Sequence, residues 1–441
     1  MAAGLGFKTF TTGEVLTAAD TNGYLMQGIN VFASTAARDA AITSPQEGQF
    51  AFTKDTNGLW YYDGAAWVAS GATGDIEGVT AGTGITGGGT SGTVTVSFDQ
   101  TNFGGGQFSA GKNRIINGDF FVNQRAFTST TTNAAYGFDR FSLAATDGTT
   151  TYTAQTFTPG AAPVTGYEAK NYARIVTTGQ TLSTALSMLL QSIEDVRTYA
   201  NQTVTVSFWA QAGTGTPKIA VELKQNFGTG GSPSADVNTY AGQVTLSTSW
   251  ARYSVTIAVP SISGKTIGTD VNSSYLRLGL FVSAGSTFNT RTGSLGIQSN
   301  TFNIWGVQVE AGSTATPFQT ATGTIQGELA ACQRYFFAYT SPSSVSFYGN
   351  GQCTTTTKAF CVLPLPVTMR TTPTLTAPAA TNFAVASATD SDVALTAIAL
   401  RYSSLNSGEI NCTTASGLVS GNATRLYGTS TSAYLQFSAE L

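Results

Sequence analysis

The residues that most resemble a site for chemistry are glycines. Gly82, Gly84 and Gly87 fit G-x-G-x-x-G inside GDIEGVTAGTGITGGGTSGTVTVSFD (Gly74–Asp99), and seven residues from Gly78 to Gly92 are glycine. A dinucleotide cradle needs this pattern after a strand and at the start of a helix, where backbone N–H groups meet a pyrophosphate. The residues after Gly89 read T-S-G-T-V-T-V-S-F, with Val94, Val96 and Phe98 alternating on one face. That is a strand pattern. Asp99 stands near the spacing of a ribose-binding acid, but no helix separates it from the glycines. The glycines therefore read as a device of shape, permitting φ > 0 and close backbone approach. No cofactor is expected.

Other chemistry is thinly supplied. The chain has no histidine, the commonest general base and metal ligand, which excludes Ser-His-Asp triads and HExxH zinc sites in their usual forms. Cys332, Cys353, Cys361 and Cys412 lack a C-x-x-C pair, so a zinc site is not expected. They read as buried free thiols, with pairing of Cys353 and Cys361 left open. Paired carboxylates would suit glycoside hydrolysis, but the acids Asp119, Asp139, Glu194, Asp195, Glu222 and Glu310 are sparse. An enzyme is not expected.

Sugar recognition asks for something else: aromatic platforms beside neutral hydrogen-bonding groups. Trp209 is a candidate, on the opposite strand face from Val204, Val206 and Phe208; the pattern leaves open which face is core. Tyr348 beside GNGQ and Tyr427 beside GTSTS adjoin turn-rich loops, and Tyr339 and Tyr402 lie in the same region. Trp250 and Trp305 read as core.

These residues must be positioned by strands. The chain has 441 residues, of which only 10% are charged, with a net charge of −3. Such a field would not steer a polyanion, so nucleic acid is not an expected partner. MAAGLGFKTF lacks a signal-peptide pattern and no run of about 18 apolar residues exists, so neither export by a signal nor membrane insertion is expected.

Residues 1–72 read as a small α+β unit, with helices at Thr17–Gln27 and Ser34–Ala41, the second capped by Ser34. Asn57-Gly58 signals a two-residue type I′ hairpin, with Trp60, Tyr62 and Trp67 on its apolar face. Residues 73–110 are the glycine-rich segment. Alone it buries too little to fold; three copies wound about one axis would close each other's edges. Residues 111–322 carry alternating strands at Thr203–Ala212, Lys218–Gln225, Gln243–Ser247, Ala251–Val259, Leu276–Val282 and Phe302–Glu310. Turn clusters between them imply a two-sheet sandwich or jelly roll. Leu182–Gln202 is ambiguous between helix and strand. Residues 323–441 open with a helix near Ile325–Arg334 and continue as strands. The fold class is all-β.

NRIINGDFFVNQR (Asn113–Arg125), FDRF (Phe138–Phe141), VTVSFWAQA and WGVQVEAGSTATPF (Trp305–Phe318) resemble tail-fibre and appendage proteins of tailed bacteriophages, whose jelly rolls resemble carbohydrate-binding modules. The opening residues are similar to virion-attachment ends of such fibres, GDIEGVTAGTGITGGGTSG to their shafts, and ELAACQRYF, LPVTMRTTPT and FSAEL to a terminal domain found with them.

The resemblance implies a homotrimeric virion tail fibre, assembled in the host cytoplasm and released on lysis. Residues 1–72 would attach to the tail or other virion proteins, and 323–441 would form a receptor-binding tip. The task implied is adsorption to bacterial surface polysaccharide or lipopolysaccharide. Alternatives are a tail or head decoration protein without host contact, and a polysaccharide depolymerase. Related modules also imply Asp119 and Glu310 as calcium candidates.

Overall fold

The computed structural model describes residues 10–22, 28–71, 78–82, 85–90, 92–98, 111–164, 167–386 and 391–441. The chain divides into two compact units, Met1–Phe98 and Asp99–Leu441. Among the described residues no helix is long and apolar enough to cross a membrane.

In the first unit, the Ser34 hydroxyl accepts from the Ala37 N–H at 3.1 Å and starts the helix Thr35–Ala41. The earlier expected helix is one turn, Ala18–Asp20, closed by a Thr17/Asp20 capping box; residues 23–27 of that expectation lie outside the described residues. A four-stranded sheet orders Asn30–Phe32, Phe50–Thr53, Gly58–Tyr62 and Trp67–Ala69. The two-residue turn expected at Asn57-Gly58 is not formed. Thr53 pairs with Gly58, so residues 54–57 make a wider loop, with Asn57 at φ +48°. Side chains hold that loop: Trp60 Nε1 donates to Thr53 Oγ1 at 2.8 Å, and the Thr53 and Thr56 hydroxyls lie 2.6 Å apart. Buried Arg38 lies 5.0 Å from the Trp60 ring and 4.7 Å from that of Trp67, which joins the helix to the aromatic face.

The glycine-rich segment is strand, not cradle. Ile85–Gly89 pairs antiparallel with Val79–Thr80 on one side and Val96–Phe98 on the other. Gly87 (φ +101°) and Gly88 (φ +124°) take backbone angles that suit glycine, and an added Cβ would meet Thr95 O at 2.2 Å and Val79 O at 2.4 Å. Ile85 and Val96 remain about half exposed in the single chain.

The second unit begins with an antiparallel sandwich. Its six-stranded sheet orders Ala251–Ala258, Thr203–Ala212, Thr301–Ala311, Asn171–Thr178, Thr149–Thr156 and Ser129–Thr130. The five-stranded sheet orders Val237–Thr245, Lys218–Asn226, Tyr275–Ala284, Leu186–Glu194 and Ser142–Thr146. Alternate residues of both sheets meet in the core, among them Val204, Val206, Phe208, Ile175, Leu278 and Leu280, as the period of two requires. Leu186–Glu194 resolves the ambiguous segment as strand: it is held between Tyr275–Ala284 and Ser142–Thr146, with Leu189 opposite Leu280. Tertiary pairing overrides its Leu/Met helix propensity. The outer face of this sheet is sealed near the helix Asn289–Thr292, where Arg291 grips buried Glu222 through two bonds of 2.6 and 2.7 Å.

Residues beyond the sandwich form the helix Ile325–Gln333, capped by Thr324, and a three-stranded sheet of Phe336–Thr340, Tyr434–Ser438 and Thr374–Thr376. A closed six-stranded barrel follows the order Ser346–Cys353, Lys358–Pro364, Ser407–Thr414, Asp392–Ser403, Phe383–Ala386 and Ala423–Gly428. Closure removes sheet edges. Cys353, Cys361 and Cys412 lie in the barrel core; with buried Cys332 they are all free thiols, so Cys353 and Cys361 are unpaired.

Sandwich and barrel share a junction of charged side chains, buried at Arg125, Arg140, Asp139 and Glu440 and partly exposed at Arg334 and Glu194. Glu440 accepts from Arg125 Nη2 at 3.0 Å and from Arg140 Nη1. Arg125 also reaches Asp139 at 3.2 Å. Arg334 grips Glu194 through bonds of 2.7 and 2.9 Å. Arg370 donates to the Ala439 and Glu440 carbonyls at 2.8 Å and to Asn272 O. Glu328 of the helix accepts from the Asn117 N–H at 2.8 Å.

Candidate functional site

The outward face of the six-stranded sheet is where Trp209 points. Its neighbours Val204, Val206, Phe208 and Ala210 face the core, so Thr205, Ser207, Trp209 and Gln211 face outward. Trp209 is nevertheless only 9% exposed. Its ring meets Trp305 at 5.4 Å and Phe318 at 6.1 Å, and the Arg252 guanidinium lies 4.7 Å from it. Tyr167 and Phe318 cover Trp305 in turn, at 5.2 and 5.1 Å. The candidate platform is thus filled by the chain's own rings, which corrects the reading of Trp209 as a ligand surface.

Glu310 explains why that cover stays in place. It accepts from Gln308 Nε2 at 2.6 Å and from the Thr316 N–H and hydroxyl at 2.9 and 2.5 Å, pinning the segment that carries Phe318. Asp119 accepts from Tyr167 O–H at 3.2 Å and the Phe121 N–H at 3.4 Å. Burial, then the charge of Glu328, pushes its carboxyl up to about 6. A hard cation wants several oxygens at one point. Both candidates are instead used by the chain's own donors, and no three His, Cys, Asp or Glu side chains gather among the described residues. The calcium reading does not fit this geometry.

The remaining acids are likewise engaged. Asp139 accepts from Gln124 N–H at 2.7 Å, and burial, offset by Arg125, leaves its carboxyl raised to about 6. Glu194, Glu222 and Asp195 face Arg334, Arg291 and Arg197.

Of the tyrosines, Tyr348 is buried and donates to Ala433 O at 3.1 Å. Tyr339 is half-buried and donates to Pro364 O. Tyr427 is half-buried opposite Phe347. Tyr402 alone of these four is exposed, at 64%.

Beside the covered tryptophans, the same sheet face presents a polar row that the sequence reading missed. Arg174, Asn303 and Gln211 are direct cross-strand neighbours on three adjacent strands. Arg174 Nε donates to Asn303 Oδ1 at 2.9 Å, and Asn303 Nδ2 donates to Gln211 Oε1 at 2.9 Å. Gln211 Nε2 donates to Thr248 O at 2.9 Å, and Arg174 Nη2 to Tyr172 O–H at 3.1 Å. Tyr172 and half-buried Trp250 stand edge to face at 5.4 Å, and Trp250 packs against buried Phe157 at 5.5 Å, at the edge of the core cluster as expected. A shallow groove of ≈ 350 Å³ lies along Val176–Thr178, Gly213, Thr214 and Ser299–Thr301, on the strands and turns that carry the row. Alternation alone would have put Arg174, Asn303 and Gln211 opposite the core; their alignment needed the register. Asn303 is buried and fixes its neighbours; what the surface offers is the half-buried Arg174 guanidinium and Gln211 amide next to aromatic rings.

The fold thus defines an all-β protein with a two-sheet sandwich joined to a closed barrel. No protein-family model matches the sequence, and no curated protein does. Among solved structures, the chain is similar to a putative sugar binding protein from Bacteroides thetaiotaomicron at 13% identity, covering 46% of this chain and 100% of that one, with a TM-score of 0.29. It is similar to the CBM22-2 xylan-binding domain of Paenibacillus barcinonensis Xyn10C at 18% identity, over 42% of this chain and 98% of that one, with a TM-score of 0.26. It is also similar to the enzymatically active domain of Bacteriophage CBA120 tailspike protein 4, at 12% identity over 45% of this chain and 21% of that one, with a TM-score of 0.27.

Proposed function

We propose that this chain is a glycan-binding adhesin: a trimeric tail-fibre protein of a tailed bacteriophage that mediates adsorption to its bacterial host. The observation that carries the glycan reading is the Arg174–Asn303–Gln211 row beside Tyr172 and Trp250. Sugars present hydroxyl rims and apolar faces. Fixed planar donors and acceptors suit the first, and aromatic rings the second. The sandwich is read as a jelly roll of the carbohydrate-binding kind.

Supporting the trimer is the glycine-rich sheet, whose Ile85 and Val96 are half exposed in one chain and would be covered by sister copies. The resemblance adds the virion-tail location and an attachment role for residues 1–72. A single millimolar site contributes only about −4 kcal/mol; several sites per trimer raise avidity by ~10²–10⁴ where geometry allows.

The test is binding of full-length protein to host cells and to their purified surface polysaccharide and lipopolysaccharide, with competition against phage adsorption. Trp250→Ala and Arg174→Ala are expected to lower polysaccharide binding at least ~10-fold, the scale of one lost bidentate or stacking contact, with the thermal transition retained in Arg174→Ala and lowered in Trp250→Ala by lost packing on Phe157. Failure of the intact protein to bind cells or glycan would favour a decoration role without host contact. Release of oligosaccharide on incubation would favour the depolymerase.

A further inference from the structure

The barrel carries a second surface of different chemistry. Two of its strands alternate: Ala359, Cys361, Leu363, Ile410 and Cys412 enter the barrel core, so Phe360, Val362, Glu409 and Asn411 face outward. Register aligns Arg425, Asn350, Val362, Glu409 and Tyr402 in one row across five strands. The adjacent row holds Gln352, Phe360 and Asn411.

Arg401 is the fixed point of this surface. Its guanidinium carbon lies 3.9 Å from the Phe360 ring centre and 4.6 Å from that of Tyr402. Among the described residues its one hydrogen-bond partner is Glu409, reached from Nη1 at 3.2 and 3.4 Å. The Nε–Nη2 edge of a side chain that is 38% exposed is thus left for another acceptor. Stacking fixes the guanidinium plane, and that edge matches a carboxylate in two parallel bonds. Tyr402 and Val362, 64% and 53% exposed, lie beside it as an apolar platform.

Arg401 pairs with Glu409 on the neighbouring strand, and Lys358 opens the strand beyond it. An exposed Arg–Glu pair adds little stability, so folding alone gives no account of a stacked Arg401 with exposed Tyr402 and Val362 beside it.

We propose that this barrel face binds a carboxylate-bearing saccharide, with Arg401 holding the carboxylate and Tyr402 and Val362 receiving an apolar face of the sugar ring. It is a site separate from the sandwich surface and stands independently of it. The Arg401 contact is exposed to solvent, so binding is salt-dependent.

The experiment uses full-length protein and two probes, polygalacturonate and its fully methyl-esterified form, read by isothermal titration at low and high salt. The expected result is binding to the first that weakens with salt and is at least tenfold weaker for the ester. Arg401→Gln and Tyr402→Ala each reduce it at least tenfold with an unchanged thermal transition, whereas Trp250→Ala leaves it intact. Tyr402 is exposed and outside the core, so its variant keeps the test decisive if Arg401→Gln folds poorly. Absence of polygalacturonate binding, equal binding of the ester, or unchanged binding in both folded variants overturns the proposal. So does a change of oligomeric mass in Tyr402→Ala by light scattering, which would assign the face to contact between copies. Loss of polygalacturonate binding in Trp250→Ala would move the acidic glycan to the sandwich.

Discussion

Replacing Glu440 with Gln tests whether sandwich and barrel behave as one folded body. Glu440 is the acid facing both Arg125 and Arg140, whose side chains are 12% and 1% exposed. Arg140 also donates to Ser192 O, and its guanidinium lies 3.3 Å from the Tyr335 ring centre. Burial alone would favour loss of the Arg140 proton; the charges of Glu440 and nearby groups keep it firmly cationic. Gln preserves shape and one acceptor but leaves that buried cation without its main counter-charge. Breaking one partner of a buried pair costs about 3–5 kcal/mol. Because Asp139 still faces Arg125, the lower end, about 3 kcal/mol, is expected. For a unit of roughly 340 residues an unfolding entropy of about 2 cal/mol/K per residue makes this a fall of about 4 °C in Tm. Differential scanning calorimetry of the full-length protein reads it. The junction is shared, so sandwich and barrel transitions should both move. A Tm within about 1 °C of wild type, or a shift confined to the barrel, would refute the reasoning. The same junction implies that residues 323–441 in isolation lose counter-charges for Arg334 and Glu440, so binding tests belong to the intact chain.

Three further outcomes are expected. Asp119 holds its proton in the folded state up to about pH 6, above the unfolded value, so stability falls as pH rises from about 4 to 6. Asp119→Asn removes that fall and gains on the order of 2–3 kcal/mol at pH 7 and nothing below about pH 4, measured by denaturant unfolding across pH. Gly87→Ala and Gly88→Ala place a Cβ against Thr95 O and Val79 O at positive φ; each should cost at least about 1 kcal/mol per strand, and light scattering should register weakened self-association. The four cysteines are buried, and burial pushes the Cys332 thiol up, so a thiol reagent should label none in the native protein and all four in denaturant. Fast labelling of Cys353, Cys361 or Cys412 in the native state would show that the barrel opens.

The sequence by itself determined that the chain is built mainly of strands and where the clearest of them run. Thr203–Ala212 alternates because one face meets a core, and the strand formed has those bounds. It also determined the Ser34 cap, the helix from Ile325 and the refusal of the glycine run to start a helix, since capping and φ > 0 are local matters. Tertiary structure decided the rest. Trp209 sits on the outward face as alternation allowed, yet distant Phe318 and Arg252 cover it; Leu186–Glu194 is a strand because its partners are strands. Arg174, Asn303 and Gln211 are scattered along the chain and become one row only when the register of three strands brings them level. Period fixes which way a side chain faces; only pairing between distant segments fixes what stands beside it.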